Sequence, residues 1–141
     1  MGRTFKEMVA SAEAVVENFR ASFEAENAKN IVALRSAWEQ AKSAQSGPKD
    51  LSATFLISHD IKGQGGTFGW TMLTEVADLL CKLLKQFDKV EVPSKAIEAI
   101  ECHVAALELI TRNGAIGDGG DSGVKLITGL KAIAAATNLN I

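Results

Sequence analysis

Apolar residues recur at helical spacing along nearly the whole of this chain, and this periodicity restricts it to an all-helical fold. Only two prolines occur, Pro48 and Pro93, and both lie at breaks in the pattern. No segment alternates convincingly between polar and apolar residues, as a half-buried β-strand does. The pattern does not decide whether residues 3–45 form one long helix or two.

Short connections separate the helical segments that follow this first stretch. A Gly-Pro break covers residues 46–50, a turn covers residues 88–93, and a glycine-rich loop covers residues 117–123. Several amphipathic helices with short connections favour antiparallel packing. The sequence therefore predicts an all-α fold, with an antiparallel four-helix bundle in residues 46–141 and an additional helical extension, residues 1–45, packed on it.

The charge and hydropathy of the chain exclude several classes of partner. Its formal net charge of -2 leaves no basic footprint for nucleic acid or for an anionic membrane surface. No apolar run approaches the roughly 18–20 residues of a membrane span, and the N-terminus has no secretory signal pattern. We therefore expect a monomeric cytoplasmic protein without nucleic-acid or membrane partners. Cys81 and Cys102 lie inside helical patterns, where we expect buried free thiols.

Four glycines between positions 63 and 69 follow a histidine in a segment that is otherwise helical. Glycine inside a helix costs about 1 kcal/mol relative to alanine, so this concentration suggests a use. Gly63 and Gly66 lie four and seven residues after His59 and therefore share its face of the helix. Helical side chains lean toward the N-terminus, so the missing side chain at position 63 leaves the His59 ring uncovered. Lys62 places a positive charge beside the same ring.

A helical wheel divides the segment from about residue 50 to residue 66 into two sides. The side with the character of a core stripe contains Ala53, Thr54, Ile57, Ile61 and Gly65. The other side is mostly small or polar and contains Ser52, Phe55, His59, Lys62, Gly63 and Gly66, with Leu56 at its margin. Exposed apolar residues beside a reactive histidine suit a surface on which another protein docks. The residues expected on this docking surface are Ser52, Phe55, Leu56, Gly66 and Gly69.

The eleven residues HDIKGQGGTFG at positions 59–69 resemble the signature of histidine-containing phosphotransfer (HPt) domains, and every characteristic position of that signature is filled. The resemblance implies that His59 accepts a phosphoryl group, usually through Nε2. It also implies that Lys62 helps to hold the phosphoryl oxygens and that Gly63 leaves room for the partner. Gly69 corresponds to the glycine that closes the signature near the start of the next helix.

The resemblance further implies a phosphocarrier rather than an enzyme with its own turnover. Its partners would be response-regulator receiver domains, together with a hybrid histidine kinase. The receiver would supply the aspartyl phosphate and its Mg²⁺, so the chain itself would need no cofactor. Physical chemistry agrees with this role, because a neutral imidazole with a pKa of about 6.5 is a nucleophile at cytoplasmic pH. Phosphoryl transfer depends mostly on positioning and charge neutralisation.

Two other functions are compatible with a helical chain of this kind. One is a non-catalytic helical module that docks on signalling proteins without being phosphorylated, but such a module has no need for an uncovered histidine. The other is a histidine-kinase dimerisation domain, in which an acidic residue such as Asp60 follows the phosphorylated histidine. Those domains carry proline shortly after the histidine, whereas this chain has Gly63 and no proline until Pro93.

No pattern in the chain predicts a metal or nucleotide site. His103 lies at the flank of an apolar stripe without other ligands at suitable spacing, which favours a structural role. The glycine-rich loop with Asp118 and Asp121 lacks the alternating ligands and the closing glutamate of an EF-hand. It also lacks the Gly-Lys-Ser/Thr ending of a phosphate-binding loop. We therefore expect no bound metal and no bound nucleotide.

Overall fold

The computed structural model describes residue 2 and residues 4–44, 47–114 and 120–138. In these ranges every regular element is an α-helix, so the prediction of an all-α fold is confirmed. The last helix begins at Gly120, within the stretch 117–123 that was expected to be a loop; Asp118 lies outside the described residues. The five helices are α1 (Phe5–Ser43), α2 (Ser52–Phe68), α3 (Thr71–Phe87), α4 (Ser94–Arg112) and α5 (Gly120–Asn138).

A single helix, α1, covers the stretch in which one helix or two were possible. It begins at a capping box, in which the Thr4 hydroxyl accepts the Glu7 N–H and the Glu7 carboxylate accepts the Thr4 N–H. No glycine or proline occurs between Phe5 and Ser43, so no residue of low helix propensity breaks the helix. A buried Asn27 in its polar middle donates from Nδ2 to the hydroxyl of Thr111 in α4, 3.0 Å away.

Helices α1 to α4 pack in a closed ring, each against its two neighbours, and α5 packs outside the ring against α3 and α4. Neighbouring helices of the ring run antiparallel. For example, Asn27 of α1 bonds to Thr111 of α4, and Lys42 of α1 bonds to Glu101 of α4. Residue numbers therefore increase along α1 as those of its contacts in α4 decrease. The buried faces form one core, whose largest enclosed side chains are Trp38, Trp70, Leu34, Leu51, Ile61 and Leu73.

The two halves of α1 differ in their surroundings. Ile31, Leu34 and Trp38 face the core, and Phe23 packs against Phe68 at the end of α2. Before Phe23 the apolar side chains of α1 are exposed. The change from exposed to buried therefore lies inside α1. The division expected between residues 45 and 46 stays a prediction.

A cluster of ion pairs joins α1 to α4. Arg35 lies 2.8 Å from Glu101 and also pairs with Glu108, and Lys42 lies 3.0 Å from Glu101. The Nε1–H of Trp38 donates to the same Glu101 carboxylate, 3.3 Å away. The hydrogen bond from Arg35 is the main reason why the pKa of Glu101 falls from its usual 4.5 to about 2; burial opposes it, and the hydrogen bond from Lys42 lowers the pKa further. The cluster therefore ties the buried half of α1 to α4.

The outward face of α4 differs from expectation at one cysteine. Cys81 of α3 is buried, as expected, but the expectation for Cys102 is wrong because its side chain is exposed. Cys102 falls on the side of α4 away from Ile100 and Leu107, which face the core. Within the described ranges, no helix is both long and apolar enough to cross a membrane.

Candidate functional site

His59 lies in the middle of α2 on the side of the helix that faces solvent. The Phe55 ring, one turn earlier, stacks beside the imidazole with 6.1 Å between ring centroids and 28° between the ring planes. No side chain in the described ranges hydrogen-bonds to the His59 ring, so both ring nitrogens stay available to a partner. The exposure expected from the wheel is therefore present in the structure.

The side of α2 that faces the core follows the wheel closely. Thr54, Ile61 and Gly65 are buried and Ile57 is half-buried, as expected. The expectation for Ala53 is wrong, because that residue is exposed at the edge of the stripe. The apolar face that α2 packs against the other helices is therefore slightly narrower than the sequence pattern suggests.

A buried serine next to the histidine anchors α2 to α3. The Ser58 hydroxyl donates to the carbonyl of Ala77, 3.1 Å away, and the Cys81 thiol donates to the Ser58 oxygen at 3.4 Å. Burial raises the pKa of the Cys81 thiol. These contacts fix the rotation of α2, and so they hold the next residue, His59, outward. The sequence pattern did not identify Ser58, because serine carries no apolar signal for a core position.

Open space surrounds the glycines on the His59 side of α2. A Cβ atom built at Gly63 or Gly66 would meet no atom within 4 Å. Packing within the chain therefore does not require glycine at either position. Gly65 differs, because a Cβ there would lie 2.5 Å from the Thr74 hydroxyl oxygen of α3. Gly69 ends the helix in the left-handed conformation, with φ of 70° and its N–H bonded to the last carbonyls of α2.

The Lys62 ammonium group is held by a carboxylate of the neighbouring helix. Lys62 Nζ lies 2.8 Å from Asp78 Oδ1, and Lys82 Nζ lies 3.1 Å from the other oxygen of Asp78. The Asp78 bond raises the pKa of Lys62, and the same bond lowers the pKa of Asp78. The site therefore contains two cations around one carboxylate. The sequence pattern did not identify Asp78 or Lys82, although their spacing of four residues on α3 is the signal of a helical ion pair.

The residues predicted to dock a partner are spread over several turns along α2, before and after His59. Phe55 is half-buried and Leu56 is 63% exposed, so both present apolar surface beside His59. Gly66 is exposed about two turns after the histidine. Ser52 lies about two turns before it, where its hydroxyl donates to Asp50 Oδ1 at 2.6 Å. Ser52 and the helix-ending Gly69 thus have structural roles, and the docking role of all five residues stays a prediction.

The second histidine, His103, is buried in α4 and belongs to a different environment. Its Nδ1 lies 2.6 Å from the Ala99 carbonyl oxygen, and burial lowers its pKa. His103 therefore has the structural setting that the sequence favours. Among the described residues, no three His, Cys, Asp or Glu side chains come together as a metal site would require.

The arrangement around His59 suits nucleophilic chemistry on a group that another molecule presents. An exposed neutral imidazole can attack an electrophilic phosphorus if a partner brings it within reach. Lys62 offers positive charge one turn away, and the absent side chain at Gly63 keeps the approach open. Transfer of a phosphoryl group depends mostly on positioning and charge neutralisation.

Comparison with protein families gives a match. The family model described as the Hpt domain matches residues 18–111, two thirds of the chain. This range contains His59, Lys62 and Gly63, together with most of α1 and all of α2, α3 and nearly all of α4. No curated protein and no solved structure matches the chain.

Proposed function

Because this chain belongs to the Hpt domain family, we propose that it is a phosphocarrier of a two-component phosphorelay in which His59 accepts the phosphoryl group. Hpt domains take part in phosphorelay signalling and interact with receiver domains and histidine kinases. The observation that carries the proposal is the exposed His59 ring within the matched range, with open space at Gly63 and a cation at Lys62. The proposal places this exchange in the cytoplasm.

In the proposed reaction, the Nε2 lone pair of His59 attacks the phosphorus of an aspartyl phosphate on a receiver domain. The N–P bond forms as the P–O bond to the aspartate breaks, and the aspartate leaves as a carboxylate. Nδ1 keeps its proton, so the step needs no general base on this chain. The reverse step passes the phosphoryl group to the aspartate of a second receiver.

The proposed role of Lys62 is to approach the phosphoryl oxygens on His59 and offset their charge. In the structure its ammonium group lies on Asp78, so it must leave or share that carboxylate to do so. The side-chain exposures of 41% for Lys62 and 30% for Asp78 indicate a pair near the surface, which holds with modest strength. A partner's phosphoryl group, carrying about two negative charges, competes well with one carboxylate.

Transfer from a panel of phosphorylated receiver domains tests the proposal. The receivers are loaded with a labelled small-molecule phosphodonor and mixed with the intact protein. We expect the label on this chain to be acid-labile and stable in alkali, and to be absent from His59→Gln. Because His59 is exposed, that variant should change the free energy of unfolding by no more than about 0.5 kcal/mol.

The competing function is a helical module that docks without being phosphorylated. It predicts that receivers bind to the wild-type chain and to His59→Gln equally well, with no label on either protein. Binding without label across a panel that labels a known phosphocarrier would therefore favour the module and overturn the phosphocarrier.

A further inference from the structure

The first half of α1 carries an apolar stripe that the bundle does not cover. The side chains are exposed, Phe5 to 79% and Phe19 to 60%. Contiguous apolar surface of this kind marks a binding site more often than it occurs by chance on a monomer. The α1 stripe consists of Phe5, Met8, Val9, Ala12, Val15, Val16 and Phe19.

The α1 stripe extends beyond the end of the helical ring. Phe23 contacts Phe68, the last residue of α2, with 4.4 Å between ring centroids. Because α1 runs antiparallel to α2, residues before Phe23 lead away from the ring, over about 27 Å back to Phe5 at the helical rise. The family match begins only at residue 18, so nearly all of the stripe lies outside it. His59 lies about 13 Å back along α2 from Phe68 and is separate from the stripe.

The spacing of the α1 stripe is symmetric about Ala12. In an antiparallel pair of helices with a twofold axis at Ala12, the residue numbers that face each other add to 24. The facing pairs are then Phe5 with Phe19, Met8 with Val16, Val9 with Val15, and Ala12 with itself. We propose that the α1 stripes of two copies of this chain pack in this antiparallel register and make the protein a homodimer.

Self-complementarity is the property that favours a second copy over an unrelated partner. A twofold interface requires each residue and its opposite to satisfy each other in both directions, and the symmetric spacing of the stripe does so at every position. The largest side chains meet at the two ends. The smallest, Ala12, lies at the centre, where two helix axes approach most closely.

The surface available is sufficient for a specific dimer. Taking about 200 Å² for a fully exposed aromatic side chain, the exposed fractions correspond to on the order of 600 Å² of apolar surface per copy. Two copies would bury on the order of 1,200 Å², at the lower end of the range for specific, stable interfaces. We therefore expect a dimer that dissociates on dilution.

The length of the free helix also fits the proposed register. The helix begins at Phe5, and the ring begins near Phe23, so the overlap of residues 5–19 uses the exposed length without driving one ring into the other. The two rings lie at opposite ends of the paired helices. Each His59 site stays open, so dimerisation does not block a partner of that site.

A lipid surface fits the same helix less well. Helices that lie on anionic membranes carry lysine and arginine on their polar face. The polar residues of this helix up to position 24 include Lys6 and Arg20, but the acidic residues outnumber them, namely Glu7, Glu13, Glu17 and Glu24. Charge therefore opposes binding to an anionic bilayer.

Sedimentation velocity over about 1–100 µM tests the dimer. We expect the mass to rise with concentration from 14.9 kDa to twice that value. Phe19→Glu places a charge in the stripe and should keep the protein monomeric over the same range. Ala14→Glu, on the opposite side of the same helix, is the control and should still dimerise. Phe19 and Ala14 are both exposed in the monomer, so neither variant should unfold the bundle formed by α1 to α4.

Cysteine cross-linking tests the register in a Cys102→Ser background, because Cys102 is the exposed native thiol among the described cysteines. Under mild oxidation Ala12→Cys should form a disulfide-linked dimer, and the control Ala14→Cys should not. A mixture of Val9→Cys and Val15→Cys proteins should form the mixed disulfide in preference to either like pair.

Three results would overturn the proposal. One is a mass of 14.9 kDa at every concentration, which is the monomer expected from the sequence. Another is equal cross-linking of Ala12→Cys and Ala14→Cys, or like pairs dominating the Val9→Cys and Val15→Cys mixture. The third is pelleting with phospholipid vesicles without any self-association in solution.

Discussion

Gly63, Gly65 and Gly69 each have a different reason to be glycine. Gly65 is close to α3, so that a Cβ would touch the Thr74 hydroxyl, and Gly69 needs the left-handed conformation that ends the helix. Gly63 faces open space and has ordinary helical neighbours. Glycine at this position lowers the stability of the helix, and no contact within the folded chain requires it. This suggests that the open space serves an approaching partner.

The variants Gly63→Ala and Gly63→Gln separate stability from transfer. Both should raise the free energy of unfolding, by up to about 1 kcal/mol, because glycine is a poor helix former and the added side chain meets no atom. Transfer from a receiver to His59 should nevertheless slow, by roughly tenfold for the larger glutamine and less for alanine. Thermal unfolding and the rate of label transfer measure the two effects.

The control for this experiment is Gly65→Ala, which adds the same methyl group two residues further along α2. There the Cβ overlaps the Thr74 hydroxyl, so we expect the free energy of unfolding to fall by about 1–3 kcal/mol. Wild-type transfer by Gly63→Gln would show that the steric role assigned to this glycine is wrong.

Asp78 should restrain Lys62 in the unphosphorylated protein. Asp78→Asn weakens that pair, so more Lys62 is free to approach the phosphoryl group. On the proposed function, the fraction phosphorylated at equilibrium with a receiver should rise by roughly two- to fivefold, which is the range for a partly exposed ion pair. Lys82→Gln is the control, because it leaves Asp78 wholly to Lys62 and should give no rise. A fall in phosphorylation of Asp78→Asn would mean that Asp78 positions Lys62 for the reaction instead.

Among the elements, α1 combines two environments in one helix. Its second half closes the ring and is tied to α4 through Arg35, Lys42 and Glu101. Its first half presents the apolar stripe to solvent. The capping box at Thr4 fixes where the exposed half begins, and the ion cluster holds the half that supports the fold.

The α1–α4 cluster should give the protein an acid-sensitive component of stability. The pKa of Glu101 is lowered in the folded state to about 2 from 4.5, so the folded chain binds its proton less readily than the unfolded chain. The contribution is present above pH 4.5 and is lost as pH falls toward 2. Because the Glu101 side chain is 36% exposed, solvent screening limits it to about 1 kcal/mol.

Comparison of the wild-type protein with Glu101→Gln measures this component. In denaturant unfolding at pH 7, the free energy of unfolding of the variant should be lower by about 1 kcal/mol. This difference should shrink as pH falls from 4.5 toward 2. Glu98→Gln, an exposed position on the same helix, serves as the control with little change at either pH. A difference that stays constant from pH 7 to pH 2 would rule out the assigned ion cluster as its source.

For the whole molecule, periodicity was enough to predict the fold class, because each helix buries one apolar side and the pattern repeats at 3.6 residues. The exposed position of His59 was predictable for the same reason. The pairing of Lys62 with Asp78 was not, since it depends on how α2 and α3 are rotated against each other. The exposure of Cys102 was not predictable either, because cysteine occurs on both the buried and the exposed sides of helices and the periodicity does not distinguish them.

The organisation of α1 was harder still to predict. Its apolar spacing continues from Phe5 to Trp38, but among the described residues the apolar side chains before Phe23 are exposed, and those that continue this spacing from Ile31 to Trp38 are buried in the core. A sequence pattern identifies an apolar face without identifying what covers it. The family match begins at residue 18, inside α1, so the apolar residues from Phe5 to Val16 lie outside it.

The imidazole ¹H–¹⁵N correlation spectrum of the phosphorylated protein tests most directly whether His59 carries the phosphoryl group, as proposed. The chain has two histidines, so two sets of ring resonances are expected. After phosphorylation by a receiver, we expect the ring resonances of His59 to shift and its Nε2 to couple to phosphorus. The resonances of the buried His103 should stay in place. A shift confined to His103, or a phosphorylated protein with both rings unchanged, would show that His59 is not the acceptor.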